Sequence, residues 1–223
     1  SEIYSAAIQD YERGIIIGST TTGKGTAQVQ LDSLAHGQAT LTQRKFYRVT
    51  GGSTQNKGVI PDIRLVDIYN EEFGERKAKN ALKWDTIPTA PFKREGSVQP
   101  YLAKLNQTSE QRVATDPQFK YLETRKTLAK KSADEKKVVL DIDQRRAELI
   151  DLEKQTLDAE NQRRAATGQP PYANWESYQA SIDALVESRA KMKAHLRPPL
   201  PEEEAFITEA ANVLLDYAAL QGR

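Results

Sequence analysis

The 223-residue sequence has no cysteine, only two histidines, and no run of apolar residues long enough to span a membrane. Without cysteine there are no disulfides, thiol nucleophiles or thiolate metal sites, and this absence fits a cytoplasm and a periplasm equally well. His36 and His195 are each expected at the surface or in a loop, so we expect no zinc or other metal site and assign no cofactor.

An excess of charge of one sign is also missing. Lysine and arginine number 32 against 31 aspartate and glutamate residues, so no electrostatic field would attract nucleic acid or an anionic membrane. Charged residues make up 28% of the chain and aromatic residues 7%. This composition predicts amphipathic helices with broad solvated faces rather than compact sheet.

The first part of the chain predicts one helix followed by short strands. Residues 1–12 have a helical pattern that Gly14 ends. Extended segments are predicted at 15–17, 27–34, 39–49 and 58–63, with a turn at His36-Gly37 joining the second and third. Because this α/β piece is small for its number of strands, we expect it to be part of a larger sheet domain.

Composition shifts at residues 87–100, where prolines and a glycine interrupt any periodicity, so a linker is placed there. Helices are predicted beyond it, at 101–115, 117–166 with one break, 175–195, and from Pro201 onward. Within the long helical segment 117–166, one apolar face that packs against other elements is expected from Val139, Ile142, Leu149, Ile150 and Leu157. The predicted class is α+β, with a partial α/β core of helix plus mixed sheet at 1–86 and an all-helical C-terminal domain at 101–223.

The stretch IIIGSTTTGKGTAQVQL, residues 15–31, places Lys24 between two glycines. Gly18 to Lys24 satisfies the first seven positions of a phosphate-binding loop, but Gly25 stands where that loop needs Ser or Thr, and the next residues alternate as in a strand. Nucleotide binding is therefore disfavoured, and a glycine turn with a solvated lysine stays open. A lysine can also act as a general base when burial removes its charge, and a serine–lysine pair needs no histidine.

Three motifs in order, SEIYSAAIQDYERGIIIG, TTGKGTAQ and QRKFYRVTGGSTQNKGVIPDI, resemble the carboxyl-terminal processing protease family, most closely its bacterial tail-specific branch. The match covers residues 1 to about 65, and KNALKWDTI at 79–87 and the charged helical tail fit more loosely. The resemblance implies that Lys24 is the general base, that Gln28 orients its amine, and that Asp10 matches an acidic residue this branch needs. A purely structural role for Asp10, holding the helix to the sheet, stays open.

The resemblance also implies a nucleophilic serine two residues upstream of Ser1, and a substrate-binding PDZ module, both outside these residues. Ser1 is not expected to replace the nucleophile, because two residues along a helix turn a side chain by about 200°. Ser5 is not expected to replace it either, because it lies one helical turn further along the chain. We therefore expect a C-terminal fragment of a serine/lysine endopeptidase, inactive alone, from a periplasmic protein that acts on proteins with apolar C-termini.

Two other function classes stay open. The helical half could be a docking module for unfolded substrate or for an adaptor such as a lipoprotein, and an exposed apolar patch on the helices would support this hypothesis. Alternatively, the intact protein could be a pseudo-protease that binds peptides without cutting them. A truncated sheet exposes an edge, so pairing of two copies into a homodimer is a further hypothesis.

Overall fold

A computed structural model describes residues 1–31, 34, 36–68 and 74–222, and the structural statements below concern these residues. They contain six α-helices: α1 (Glu2–Asp10), α2 (Gln99–Thr115), α3 (Pro117–Asp134), α4 (Ile142–Ala166), α5 (Trp175–Lys191) and α6 (Pro201–Leu220). The strands are β1 (Ile17–Gly18), β2 (Thr26–Leu31), β3 (Ala39–Lys45) and β4 (Ile63–Arg64), and short 3-10 helices cover Glu75–Lys77 and Ala194–Leu196. The predicted α+β class is confirmed.

The strands form two separate two-stranded ladders. β1 and β4 pair in parallel. β2 and β3 pair antiparallel, from Thr26 opposite Lys45 to Leu31 opposite Ala39, which is the hairpin predicted across His36-Gly37. Parallel and antiparallel pairing therefore both occur.

The chain divides into two compact units, here called the first unit (Ser1–Gln107 with Asp216–Arg223) and the second unit (Thr108–Leu215). The boundary predicted at residues 87–100 stays a prediction. The first unit has a small core in which Val59, Ile63 and Leu105 are at most 1% exposed. Ile63, the first residue of β4, is buried where the chain after Pro61 pairs in parallel with β1.

Helix α1 ends at Asp10, short of Gly14, because Glu12 adopts a left-handed conformation with φ 52°. The buried Glu12 carboxylate pairs with Arg94, with Oε1 3.1 Å from Nε. A β-carbon on Gly96 would lie 1.8 Å from the Glu12 carbonyl oxygen, so only glycine fits beside this turn. The strained helix end is therefore held by contacts from residues 94–96.

In the second unit, local signals set the helix starts. Asp116 caps α3 through a hydrogen bond from the Gln118 N–H and is followed by Pro117, while Asp141 caps α4. Asn174 forms a capping box with Ser177 at the start of α5. The buried apolar side chains are Phe119, Tyr121, Leu122, Ala159, Tyr178, Ala205 and Val213.

A buried ion pair lies in the same core. Arg163 and Glu160 of α4 have side chains 6% exposed, and their guanidinium and carboxylate make two hydrogen bonds of 2.6 and 2.8 Å. The hydrogen bond to Glu160 raises the pKa of Arg163. Burial raises the pKa of the neighbouring Tyr121.

The predicted apolar packing face is wrong. Val139 lies in the extended segment between α3 and α4, and Ile142, Leu149 and Ile150 are 60%, 44% and 64% exposed. The residues of α4 that are buried, Ala159 among them, belong to its C-terminal half. A helical period predicts a shared face but not what covers it. None of the described helices combines the length and the apolar character that a membrane span requires.

Candidate active site

Lys24 lies in the loop between β1 and β2 with its side chain exposed. Its Nζ donates a long hydrogen bond of 3.4 Å to Oε1 of Gln28, whose Nε2 donates to Oγ1 of Thr42 at 3.3 Å. The structure thus brings two of the three predicted site residues together. The chain after Lys24 forms a strand, as predicted, so the loop does not lead into a helix as a phosphate-binding loop does.

Thr42 is a site residue that the sequence reasoning missed. It stands opposite Gln28 in the hairpin, where the register shifts between Ala27 and Gln28. Directly opposed side chains on two antiparallel strands lie close enough to form hydrogen bonds. Once the register is known, Thr42 follows as the cross-strand partner of Gln28, but the amino-acid pattern alone does not fix the register.

The first turn of α1 also holds the lysine loop. The Glu2 carboxylate accepts a 2.6 Å hydrogen bond from the Gly23 N–H and a short one from the Thr21 hydroxyl. The Thr21 hydroxyl oxygen in turn accepts from the Val59 N–H at 2.8 Å. Glu2 was visible in the sequence only as a residue of the first helical turn, and nothing local indicated that it binds a loop 21 residues away.

The glycines on either side of Lys24 have a steric role. A β-carbon on Gly25 would lie 2.5 Å from the Gln55 nitrogen, and one on Gly23 would lie 2.9 Å from the Asn56 carbonyl carbon. Gly23 also has φ 82°, a conformation that other residues rarely adopt. The Gly-Lys-Gly sequence therefore lets the loop backbone pack directly against residues 55–56, with the lysine side chain directed outward.

The third predicted residue, Asp10, lies at the opposite end of α1 from Glu2, about 12 Å away along the helix axis. Its carboxylate is 5% exposed and binds the Arg48 guanidinium in three hydrogen bonds of 2.5, 3.0 and 3.0 Å. Arg48 also donates to Oε1 of Gln9 at 2.9 Å. These contacts anchor the C-terminal end of α1, and both alternatives for Asp10, a role in catalysis and a charge that holds the helix to the sheet, stay predictions.

The described residues offer no group of metal ligands, and a lysine–carboxylate ion pair forms at the end of β3. Among the described residues, no three His, Asp or Glu side chains lie together as metal ligands would. The Lys45 ammonium, 2.7 Å from the Asp85 carboxylate, holds the pKa of that carboxyl below its ordinary range. In the described part of the chain, Lys24 has no hydroxyl partner.

Comparison with known proteins gives two family matches. Residues 68–219 match the model described as the C-terminal domain of tail specific protease, and residues 1–65 match peptidase family S41. The chain is 42% identical over 161 residues to a protein of Haemophilus influenzae named tail-specific protease, covering 66% of this chain and 23% of that protein. It is 40% identical over 73 residues, 33% of this chain and 17% of the relative, to a carboxy-terminal-processing protease of Bartonella bacilliformis.

Proposed function

The chain belongs to the tail-specific proteases of peptidase family S41, and from this premise we propose that it carries the general base of a serine-type endopeptidase. Lys24 is that base, and Gln28 orients its amine. The observation that carries the proposal is the hydrogen bond from Lys24 Nζ to Gln28 Oε1, on a loop that Glu2 holds from one side.

The reaction is amide hydrolysis through an acyl-enzyme. Neutral Lys24 takes the proton of a serine hydroxyl, and the serine oxygen attacks the substrate carbonyl carbon. The C–N bond breaks, the amine leaves with the proton, and an ester remains on the serine. Lys24 then takes a proton from water, whose oxygen attacks the ester carbonyl carbon. The C–O bond to the serine breaks, the serine oxygen takes the proton from Lys24, and the acid product leaves, with Lys24 neutral again.

The serine and the backbone amides that stabilise the oxyanion belong to segments outside these 223 residues, since the chain spans less than a quarter of the length of the relatives it matches. The Lys24 side chain is exposed among the described residues. A lysine base works only where burial removes its charge, so the proposal requires segments outside these residues to cover Lys24. Exposed apolar side chains of the first unit, Ile3, Tyr4 and Ile60, are 52% to 73% accessible and would pack against the same missing segments.

Further parts of the proposal concern the whole protein. We place it in the periplasm, with proteins that end in apolar residues as substrates, a lipoprotein adaptor as a candidate partner, and a homodimer as a candidate assembly. The 223 residues alone are proposed to be inactive, since no described hydroxyl binds Lys24.

The test is degradation of an unfolded fluorescent protein with an apolar C-terminus by the whole protein. Lys24→Ala is expected to lower kcat/KM by about 100- to 10,000-fold, the usual contribution of a general base. Lys154→Ala is the matched control, because Lys154 is an exposed lysine of α4 without a partner among the described residues. The 223-residue chain, assayed in parallel, is expected to show no cleavage.

Equal cleavage by Lys24→Ala and the unmodified protein would refute the proposal and leave Lys24 as a turn residue.

A second candidate function, docking of another polypeptide on the helical domain, is favoured by one observation. Ile207, Leu214 and Leu215 are 59%, 65% and 69% exposed at helical spacing on α6. If the unmodified whole protein binds the labelled substrate but does not cut it, docking or the pseudo-protease replaces the first candidate.

A further inference from the structure

Gln55 is a buried polar residue directly behind the lysine loop. It follows β3 in the turn 53–58 and is 0% exposed. A buried amide is costly unless its polar atoms have partners. Its Oε1 accepts a hydrogen bond of 2.8 Å from the Gly25 N–H, and its Nε2 donates one of 3.2 Å to Oε1 of Glu75. Gln55 therefore links the peptide that follows Lys24 to the 3-10 helix at Glu75–Lys77.

The neighbouring residues hold the other side of Lys24. The Asn56 N–H donates to the Gly23 carbonyl at 2.8 Å, and the Glu75 N–H donates to the Thr22 carbonyl at 2.9 Å. Both peptides that flank Lys24 are thus fixed from the same side, while the lysine side chain is exposed. The absence of a β-carbon on Gly25 permits the close approach that the Gln55 hydrogen bond requires.

Glu75 determines the orientation of the Gln55 amide. An ionised carboxylate only accepts hydrogen bonds, so it selects the NH₂ group of Gln55. The amide oxygen then faces Gly25, whose N–H can only donate. Reversing the amide would place an oxygen against the carboxylate and an NH₂ group against the peptide N–H, two unfavourable contacts at a buried position.

We propose that Gln55, oriented by Glu75, is a positioning residue for Lys24: it fixes the Gly25 peptide and with it the direction in which the amine leaves the loop. This rests on the proposed function of Lys24 as the base. A general base must lie within hydrogen-bond reach of the proton it removes, and a displacement of about 1 Å can lower the rate about 100-fold.

Three variants of the whole protein test this. Gln55→Met keeps the length of the side chain but removes both hydrogen bonds, and it is expected to lower kcat about 10- to 100-fold with little change in KM. Gln55→Glu is expected to be impaired as well, because it places two carboxylates face to face. Adding Glu75→Gln to Gln55→Glu exchanges donor and acceptor, restores both hydrogen bonds, and should recover most of kcat. Gln30→Met, the same change at an exposed position of β2, is the control.

A purely structural glutamine would change Tm and the folded fraction but not kcat per folded molecule. Unchanged kcat per folded molecule in Gln55→Met, or a double variant that recovers Tm but not kcat, would overturn the proposal. Hydrogen exchange of the 23–26 amides provides a readout independent of catalysis, and it should be faster in Gln55→Met than in Gln30→Met. If Lys24→Ala cleaves normally, the proposed function fails, and this exchange difference alone decides whether Gln55 holds the loop.

Discussion

The buried ion pair between Asp10 and Arg48 provides a sharp prediction: Asp10→Ala should lower the unfolding free energy of the first unit by about 3 kcal/mol. The Asp10 side chain is 5% exposed, and all three of its hydrogen bonds to Arg48 would be lost. Removing one partner of a buried ion pair costs about 3–5 kcal/mol, because the remaining charge is left buried without a partner. The lower end applies here, since Arg48 is 20% exposed and can regain some hydration.

The double variant Asp10→Ala/Arg48→Met distinguishes the cost of a buried unpaired charge from the net contribution of the ion pair itself. It removes both charges and should be more stable than Asp10→Ala alone, with a loss of about 1 kcal/mol, because apolar replacement of a buried pair is close to neutral. Asp10→Asn, which keeps an acceptor but loses the charge, should cost about 2 kcal/mol, between the double variant and Asp10→Ala.

Urea unfolding monitored by Trp84 fluorescence measures these changes. Trp84 belongs to the first unit, where its Nε1–H donates to the Ser53 carbonyl at 2.8 Å, and Trp175→Phe removes the only other tryptophan. A loss below about 1 kcal/mol for Asp10→Ala would refute the reasoning from burial. In the whole protein, recovery of kcat by the double variant assigns Asp10 a structural role, whereas a stable but slow double variant assigns it a role in catalysis.

Two further predictions concern other polar contacts. Glu2→Ala should lower the unfolding free energy of the first unit by about 2 kcal/mol, because the Gly23 N–H loses a charged acceptor. Glu2→Gln keeps a carbonyl acceptor, so its loss of unfolding free energy in the same Trp84 assay should be less than half as large. Arg163→Met should destabilise the second unit by about 3–5 kcal/mol by leaving Glu160 buried and unpaired. Glu160→Gln/Arg163→Met should recover more than half of this loss, as measured by urea unfolding with circular dichroism.

Local patterns predicted much of the secondary structure. The capping residues Asp116 and Asn174 act on backbone N–H groups two and three residues away, so helix starts are encoded within one turn. The helix expected to continue to His195 instead ends at Lys191, where no glycine or proline marks the change in the sequence. The apolar packing face predicted on α4 was wrong because periodicity describes one helix, while burial depends on which other elements cover it.

The sequence by itself determined the α+β class and the family, because these depend on helical and strand periodicity and on ordered motifs. The association of Lys24 with Gln28 followed from the family resemblance and joins residues only four apart. Only the tertiary structure decided how the lysine is held. Glu2 and Gln55 reach the loop across 21 and 30 residues, and Asp10 meets Arg48 across 38. Contacts at such separations leave no periodic signal, since each is formed by a polar side chain whose partner becomes adjacent only when the helix, loop and hairpin pack together.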